Sequence, residues 1–123
     1  MAVLLITHDL DVVAEWAQRI AVLYAGRVVE TGPVEEIFRS SHHPYTRGLL
    51  LSMPSGKVAR RTSLHVIPGI VPDLIARPSG CCFRERCARA TAVCASVDPE
   101  LEPMGRESAV ACHNPVLEGE GRA

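Results

Sequence analysis

Val3-Leu4-Leu5-Ile6-Thr7-His8-Asp9 is an apolar run that stops abruptly at a hydroxyl, an imidazole and a carboxylate. A short continuous apolar run of this kind suits a strand buried on both faces of a parallel sheet. In open α/β sheets, ligands bind beyond the carboxyl ends of such strands, so Thr7, His8 and Asp9 stand where chemistry would be placed. A parallel sheet needs further strands, and none is encoded ahead of this one. The run therefore reads as the middle of a domain.

Working outward, Asp9 can cap a helix reaching about Arg19, with Asp11 favourable in its first turn. Leu10, Val13, Ala17 and Ile20 share one helical face, and Trp16 beside it reads as packing. Ile20–Tyr24 and Arg27–Thr31 predict two strands joined at Ala25-Gly26, where glycine supplies the positive φ of a tight turn. Gly32-Pro33 ends the second strand. Pro33 fits the first position of a short helix to about Ser40, with Glu35 and Glu36 near its positive end. A further helix is expected from about Pro44, carrying Leu49, Leu50 and Leu51 into a packed face.

The chain changes character near Pro54. Residues 54–123 hold seven of the nine prolines and all five cysteines, which predicts a second, loop-rich unit. Between Lys57 and Pro78, prolines dense enough to prevent central strands predict an ordered, extended connection. A hydrophobic fraction of 47% and a charged fraction of 22% fit one small soluble globular chain. An aromatic fraction of only 4% predicts a core of Leu, Val, Ile and Ala. A formal net charge of -1 and the lack of interleaved aromatics near basic residues argue against nucleic acid as a partner. No run is long enough to span a bilayer and no leader pattern is seen, so a cytoplasmic location is expected. In that setting five cysteines point to metal binding or free thiols more than to disulfides.

Three constellations could carry chemistry. His8, at a strand end before a helix, can donate to a phosphate oxygen or polarise a water, or can simply fill a loop. His42-His43 is a possible metal pair, but adjacent side chains point apart, and a turn into the following helix is the better reading. Cys81, Cys87, Cys94 and Cys112 are separated by five, six and seventeen residues, with Cys82 beside the first. Four thiolates suit an iron–sulfur cluster or a structural zinc, and spacing leans towards a cluster because no tight pair is present. Four free cysteines is the alternative. Arg84, Arg86 and Arg89 crowd the same loop, either offsetting a cluster's charge or forming a solvated face; Arg60-Arg61 reads as surface.

The succession Leu4-Leu5-Ile6-Thr7-His8-Asp9-Leu10, then Ile20 through Gly32, then Pro33-Val34-Glu35-Glu36-Ile37-Phe38, closely resembles the C-terminal part of ABC transporter ATPases. His43-Pro44-Tyr45-Thr46, Leu49-Leu50 and Ser52-Met53-Pro54 resemble the extension of the oligopeptide and dipeptide (and nickel) importer branch. Pro78-Ser79-Gly80-Cys81-Cys82-Phe83-Arg84-Glu85-Arg86-Cys87, with Cys94, Pro99, Leu101 and Cys112, is similar to the tail of peptide-importer ATPase subunits.

The resemblance implies an α/β fold. Residues 1–53 would be the C-terminal remnant of a P-loop ABC ATPase domain, built of strand, helix, β-hairpin and helices. Residues 54–123 would be the importer tail with its four-cysteine site. It implies that His8 is the switch histidine touching the γ-phosphate of ATP, with Mg²⁺ as companion. It also implies that Cys81, Cys87, Cys94 and Cys112 hold a [4Fe–4S] cluster, with zinc as the lesser choice. Cys82 falls at a variable position, and Glu85 replaces a frequent proline. The implied partners are permease subunits, a second ATPase subunit and an extracytoplasmic solute-binding protein. The implied place is the inner face of the cell membrane.

No glycine-rich phosphate loop, acidic metal-binding strand end or signature loop occurs in these 123 residues. The chain alone is therefore expected not to hydrolyse ATP, and to expose apolar surface around Val3–Ile6. The competing expectation is a non-enzymatic iron–sulfur or zinc module left from such a subunit.

Overall fold

The computed structural model describes residues 1–53 and 66–120. The boundary at Pro54, the first part of the Lys57–Pro78 connection and Arg60-Arg61 lie outside the described residues.

Helix α1 (Leu10–Trp16) starts where Asp9 accepts hydrogen bonds from the Asp11 and Val12 amides through its carboxylate. It stops sooner than expected, because Ala17 is already extended and gives its amide back to the Val13 carbonyl. Ile20 is thereby released into strand β1 (Arg19–Tyr24), which pairs antiparallel with β2 (Arg27–Pro33). Ala25 and Gly26 between them both have positive φ, 47° and 77°. Two such residues in a two-residue loop match the right-handed twist of the strands.

The hairpin register slips once. Val22 faces Glu30, but Leu23 faces Val28, so Val29 is the extra residue of a bulge. Bulges re-aim side chains, and here the slip buries Val29 and Glu30 in succession. Helix α2 (Val34–Arg39) then packs against β2. Pro33 is its N-cap as well as the last residue of β2, one place earlier than expected. Helix α3 (Pro44–Leu51) places its proline in the first turn, where no amide is needed. Of its leucines, Leu49 reaches the core and Leu51 is exposed.

Two expectations are corrected. Val3–Ile6 is not a strand: no described strand lies beside it, and Val3, Leu4 and Ile6 are 79%, 89% and 89% exposed. A strand exists only through its partners, so an apolar run without a neighbour leaves its amides and carbonyls to water. The sheet is antiparallel throughout, in the order β1-β2-β4-β3. Its outer half comes from the tail, as β3 (Glu102–Pro103) and β4 (Ala109–Val110).

The core is corrected too. Its centre is Val22, Tyr24, Val29, Cys82 and Phe83, with Tyr45 and Leu49 packed on it. Tyr24, Tyr45 and Phe83 meet ring to ring at 4.7, 5.1 and 5.5 Å, the Tyr24–Phe83 pair edge-on. Few aromatics does not mean a core without them, because each buries more area than an aliphatic side chain. This cluster joins hairpin, α3 and the cysteine segment. Among the described residues, no helix is long and apolar enough to cross a membrane.

Candidate functional site

Cys81, Cys87, Cys94 and Cys112 all line one small cavity of about 10 Å³, room for no more than one water. His43, Phe83, Arg89 and Asn114 complete its wall. Local backbone geometry brings the segments in. Gly80, at φ 74°, lies so close to the Cys94 carbonyl that a Cβ there would come within 2.3 Å of its oxygen. That approach lets the Cys81 amide bond the Cys94 carbonyl at 2.8 Å. Cys94 sits in a single 3₁₀ turn (Ala92–Ala95), and Cys112 follows β4.

Backbone amides bear on the four sulfurs. Arg89 donates to Cys87 at 3.4 Å and Thr91 to Cys94 at 3.4 Å, while the Phe83 and Asn114 amides favour the thiolates of Cys81 and Cys112. Such donors favour a thiolate. Burial works against them and prevails: it raises the Cys81 and Cys87 thiols above their ordinary value and lifts Cys112 to about 11. At neutral pH these thiols are protonated, so any metal would have to displace protons. Among the described residues no group of three or more His, Cys, Asp or Glu is arranged to hold a metal ion. Among the described residues the structure thus supplies no ready site for zinc or for an iron–sulfur cluster. Four thiols border a cavity that would have to widen to admit any metal group.

Arg84 and Arg89 border the cavity, but the hydrogen bonds of all three arginine side chains go to oxygens. Arg84 donates to the Ala95 carbonyl, and Arg86 to the Pro68 and Ile67 carbonyls and the Tyr24 hydroxyl. Arg89 reaches Asn114, Pro115 and Glu120. Their charge is directed to carbonyls that hold neighbouring segments in place, an arrangement that local sequence could not display.

His8 lies apart from the cysteine cavity. It is exposed, one residue before the Asp9 cap, and makes no hydrogen bond among the described residues. The Asp9 amide instead bonds the Thr7 hydroxyl at 3.0 Å, turning the chain into α1. His42 and His43 form the turn into α3. Glu30, fully buried, accepts the His42 amide at 2.7 Å and the His43 amide at 3.0 Å. The His43 ring accepts the Tyr45 amide through Nδ1, and burial lowers its pKa to about 4, so the ring is neutral. The helix-entry reading of His42-His43 holds, whereas Glu30 carries no signal in sequence, because a buried carboxylate after a bulge leaves no local pattern.

A second, wider cavity of about 290 Å³ lies between the bulge and the tail, bounded by Val29, His43, Cys82, Phe83, Pro99 and Leu101. Arg27 and Asp98 form an ion pair at its rim.

Capped helix, hairpin, two helices and a cysteine-bearing tail follow one another in that order. The family described as the oligopeptide/dipeptide transporter, C-terminal region, matches residues 29–94, over half of the chain. The chain belongs to this family. The match runs from the bulge in β2 to Cys94.

A protein of Brucella melitensis assigned provisionally as a peptide import ATP-binding protein is 48% identical over 117 residues, 91% of this chain and 35% of its own length. The dipeptide transport ATP-binding protein DppD of Haemophilus influenzae is 45% identical over 118 residues, 96% of this chain and 35% of its own. DppD of Escherichia coli is 45% identical over 124 residues, 99% of this chain and 37% of its own. The chain thus spans about a third of the length of these relatives.

Proposed function

We propose that the chain serves as the C-terminal part of an ATP-binding subunit that drives peptide import through an ABC transporter. The observation that carries this is the match over residues 29–94, together with 45–48% identity along nearly all of the chain to subunits named for peptide or dipeptide import. In this reading His8 contacts the γ-phosphate of ATP held with Mg²⁺ by the rest of the subunit, and helps orient the attacking water. Its exposed position ahead of a capped helix supports that role, because a residue that must meet nucleotide cannot be buried in its own fold. The subunit would sit on the cytoplasmic face of the membrane through permease subunits, work with a second ATPase subunit, and receive solute from an extracytoplasmic binding protein. The 123 residues alone would not turn over ATP.

The test is a chimera in which this chain replaces the matching 37% of E. coli DppD. Restored dipeptide uptake that is lost on His8→Ala supports the proposal. A chimera that assembles with the permease and transports equally well with His8→Ala sinks the role of His8. Purified chain that hydrolyses ATP above its own His8→Ala control sinks the inactivity of the isolated chain.

A second element of the proposal concerns Cys81, Cys87, Cys94 and Cys112 as the seat of a [4Fe–4S] cluster with no part in hydrolysis. Convergence on one cavity and backbone amides that bear on the four sulfurs support it; the need to widen the cavity and shed thiol protons stands against it. When bound, the group would supply a rigid cross-link between tail segments. Iron and acid-labile sulfide near about four each per chain after anaerobic purification, lost in Cys87→Ser, is the expected result. Metal-free protein from the same procedure excludes the cluster.

A further inference from the structure

The four cysteines reach their cavity by two different routes. Cys81 and Cys94 are joined through the backbone, by the 2.8 Å amide–carbonyl bond and the close approach at Gly80. Ser79 and Arg84 reinforce the same junction at the Ala95 carbonyl. Cys87 and Cys112 have no such link. Among the described residues, no backbone hydrogen bond runs between the Cys87 turn and the segment that follows β4.

What runs between them is side-chain bonding, most of it from Arg89. Arg89 donates from Nε to the Asn114 carbonyl at 3.2 Å, and from Nη2 to Asn114 Oδ1, the Pro115 carbonyl and Glu120 Oε2 at 3.3, 3.3 and 3.1 Å. Asn114 Nδ2 answers with a bond to the Arg89 carbonyl at 3.1 Å. The Arg89 amide meanwhile points at the Cys87 sulfur, so the residue that grips the far segment also orients the near thiol. The far segment is itself fixed to the body. Val116 exchanges bonds with His42, His113 reaches the Val97 carbonyl, and Arg47 of α3 holds the Glu120 carbonyl. A planar guanidinium with several donors in a fixed fork suits this bridging, and a lysine could not satisfy so many acceptors at once.

We propose that Arg89 is the positioning residue of the cysteine site, locking the Cys87 turn onto the Cys112 segment so that four thiols face one cavity before any group is bound. This rests on the reading of the four cysteines as one site, and not on the identity of what binds there.

The experiment is alkylation of the reduced, chelator-treated chain with N-ethylmaleimide, with the rate at each cysteine read by mass spectrometry. Thiol reactivity follows access and thiolate content, so it reports local opening. In the unsubstituted chain Cys81, Cys87, Cys94 and Cys112 react slowly. In Arg89→Ala, Cys87 reacts at least about tenfold faster, Cys112 follows, and the backbone-joined pair Cys81 and Cys94 changes less. Arg89→Lys behaves like Arg89→Ala. Cys82, buried with its thiol toward the Tyr24 carbonyl, stays slow and certifies that the core is folded.

Unchanged Cys87 reactivity in Arg89→Ala, with Cys82 protected, overturns the assignment. Should Arg89→Ala expose Cys82, the double variant Asn114→Ala with Glu120→Ala removes the side-chain acceptors instead. A smaller rise at Cys87 supports the proposal there, and no rise overturns it. If all four cysteines of the unsubstituted chain react independently as open thiols, the single-site reading itself fails, an outcome distinct from failure of Arg89 alone.

Discussion

His43 shows what one buried group does to a small fold. Its pKa of about 4 lies below the ordinary 6.5 because burial penalises the imidazolium. Above pH 6.5 the ring is neutral folded or unfolded and contributes no pH dependence. As pH falls from 6.5 to about 4, the unfolded chain takes up a proton that the folded chain refuses, so stability declines, by roughly 3 kcal/mol in all. Below that range the folded chain is protonated as well, and this contribution to the slope ends. Urea unfolding at pH 7 and pH 4.5 should show the decline, and His43→Asn, which keeps an acceptor for the Tyr45 amide and cannot titrate, should flatten it. An equal decline in His43→Asn would assign the effect to other groups. The sequence displayed this residue within a pair of histidines at a helix start. It could not display Glu30, whose two amide partners lie 12 and 13 residues away and whose burial depends on the Val29 bulge.

Among elements, those built from neighbours in sequence were legible and those built from distant partners were not. The hairpin is encoded in alternating residues around Ala25-Gly26, and the start of α1 in Asp9. Val3–Ile6 carries the composition of a strand without a described partner, so composition misled. Strands β3 and β4, two residues each, depend on pairing with β2 and with each other, and nothing local marks them. Two glycines separate conformation from packing. Gly26 and Gly80 both have positive φ, at 77° and 74°, but a Cβ on Gly26 meets nothing within 4 Å whereas one on Gly80 runs into the Cys94–Ala95 backbone. Gly26→Ala should cost about 1–2 kcal/mol, the left-handed penalty alone. Gly80→Ala should cost more and break the Cys81–Cys94 bond, visible as fast alkylation of both cysteines. Equal stability losses in denaturant melts, with both thiols still slow, would show that the contact at Gly80 is not structural.

For the molecule as a whole, the balance of covered and uncovered apolar surface sets behaviour in solution. Tyr24, Tyr45 and Phe83 gather hairpin, α3 and tail into one core, while Val3, Leu4, Ile6 and Trp16 stay open to water. Exposed apolar residues grouped in this way promote association. Static light scattering of the isolated chain should rise with concentration, and Leu4→Glu with Ile6→Glu should suppress it. A monomer whose melting is cooperative and independent of concentration would refute this. The family resemblance more than spacing singles out these four cysteines, and all of them line one cavity. The contacts around them, a backbone bond at Gly80 and the Arg89–Asn114 bonds, depend on distances that no spacing encodes.

Strand β2 sits between β1 and β4, and its second neighbour is made roughly eighty residues after β2 itself. At about 5–20 residues per second, a ribosome needs about 4–15 seconds to cover that distance. Throughout that interval the growing polypeptide presents an unpaired β2 edge, and only the late arrival of Ala109 and Val110 seals it. The order of synthesis therefore leaves one edge of this sheet open until Ala109 and Val110 are made.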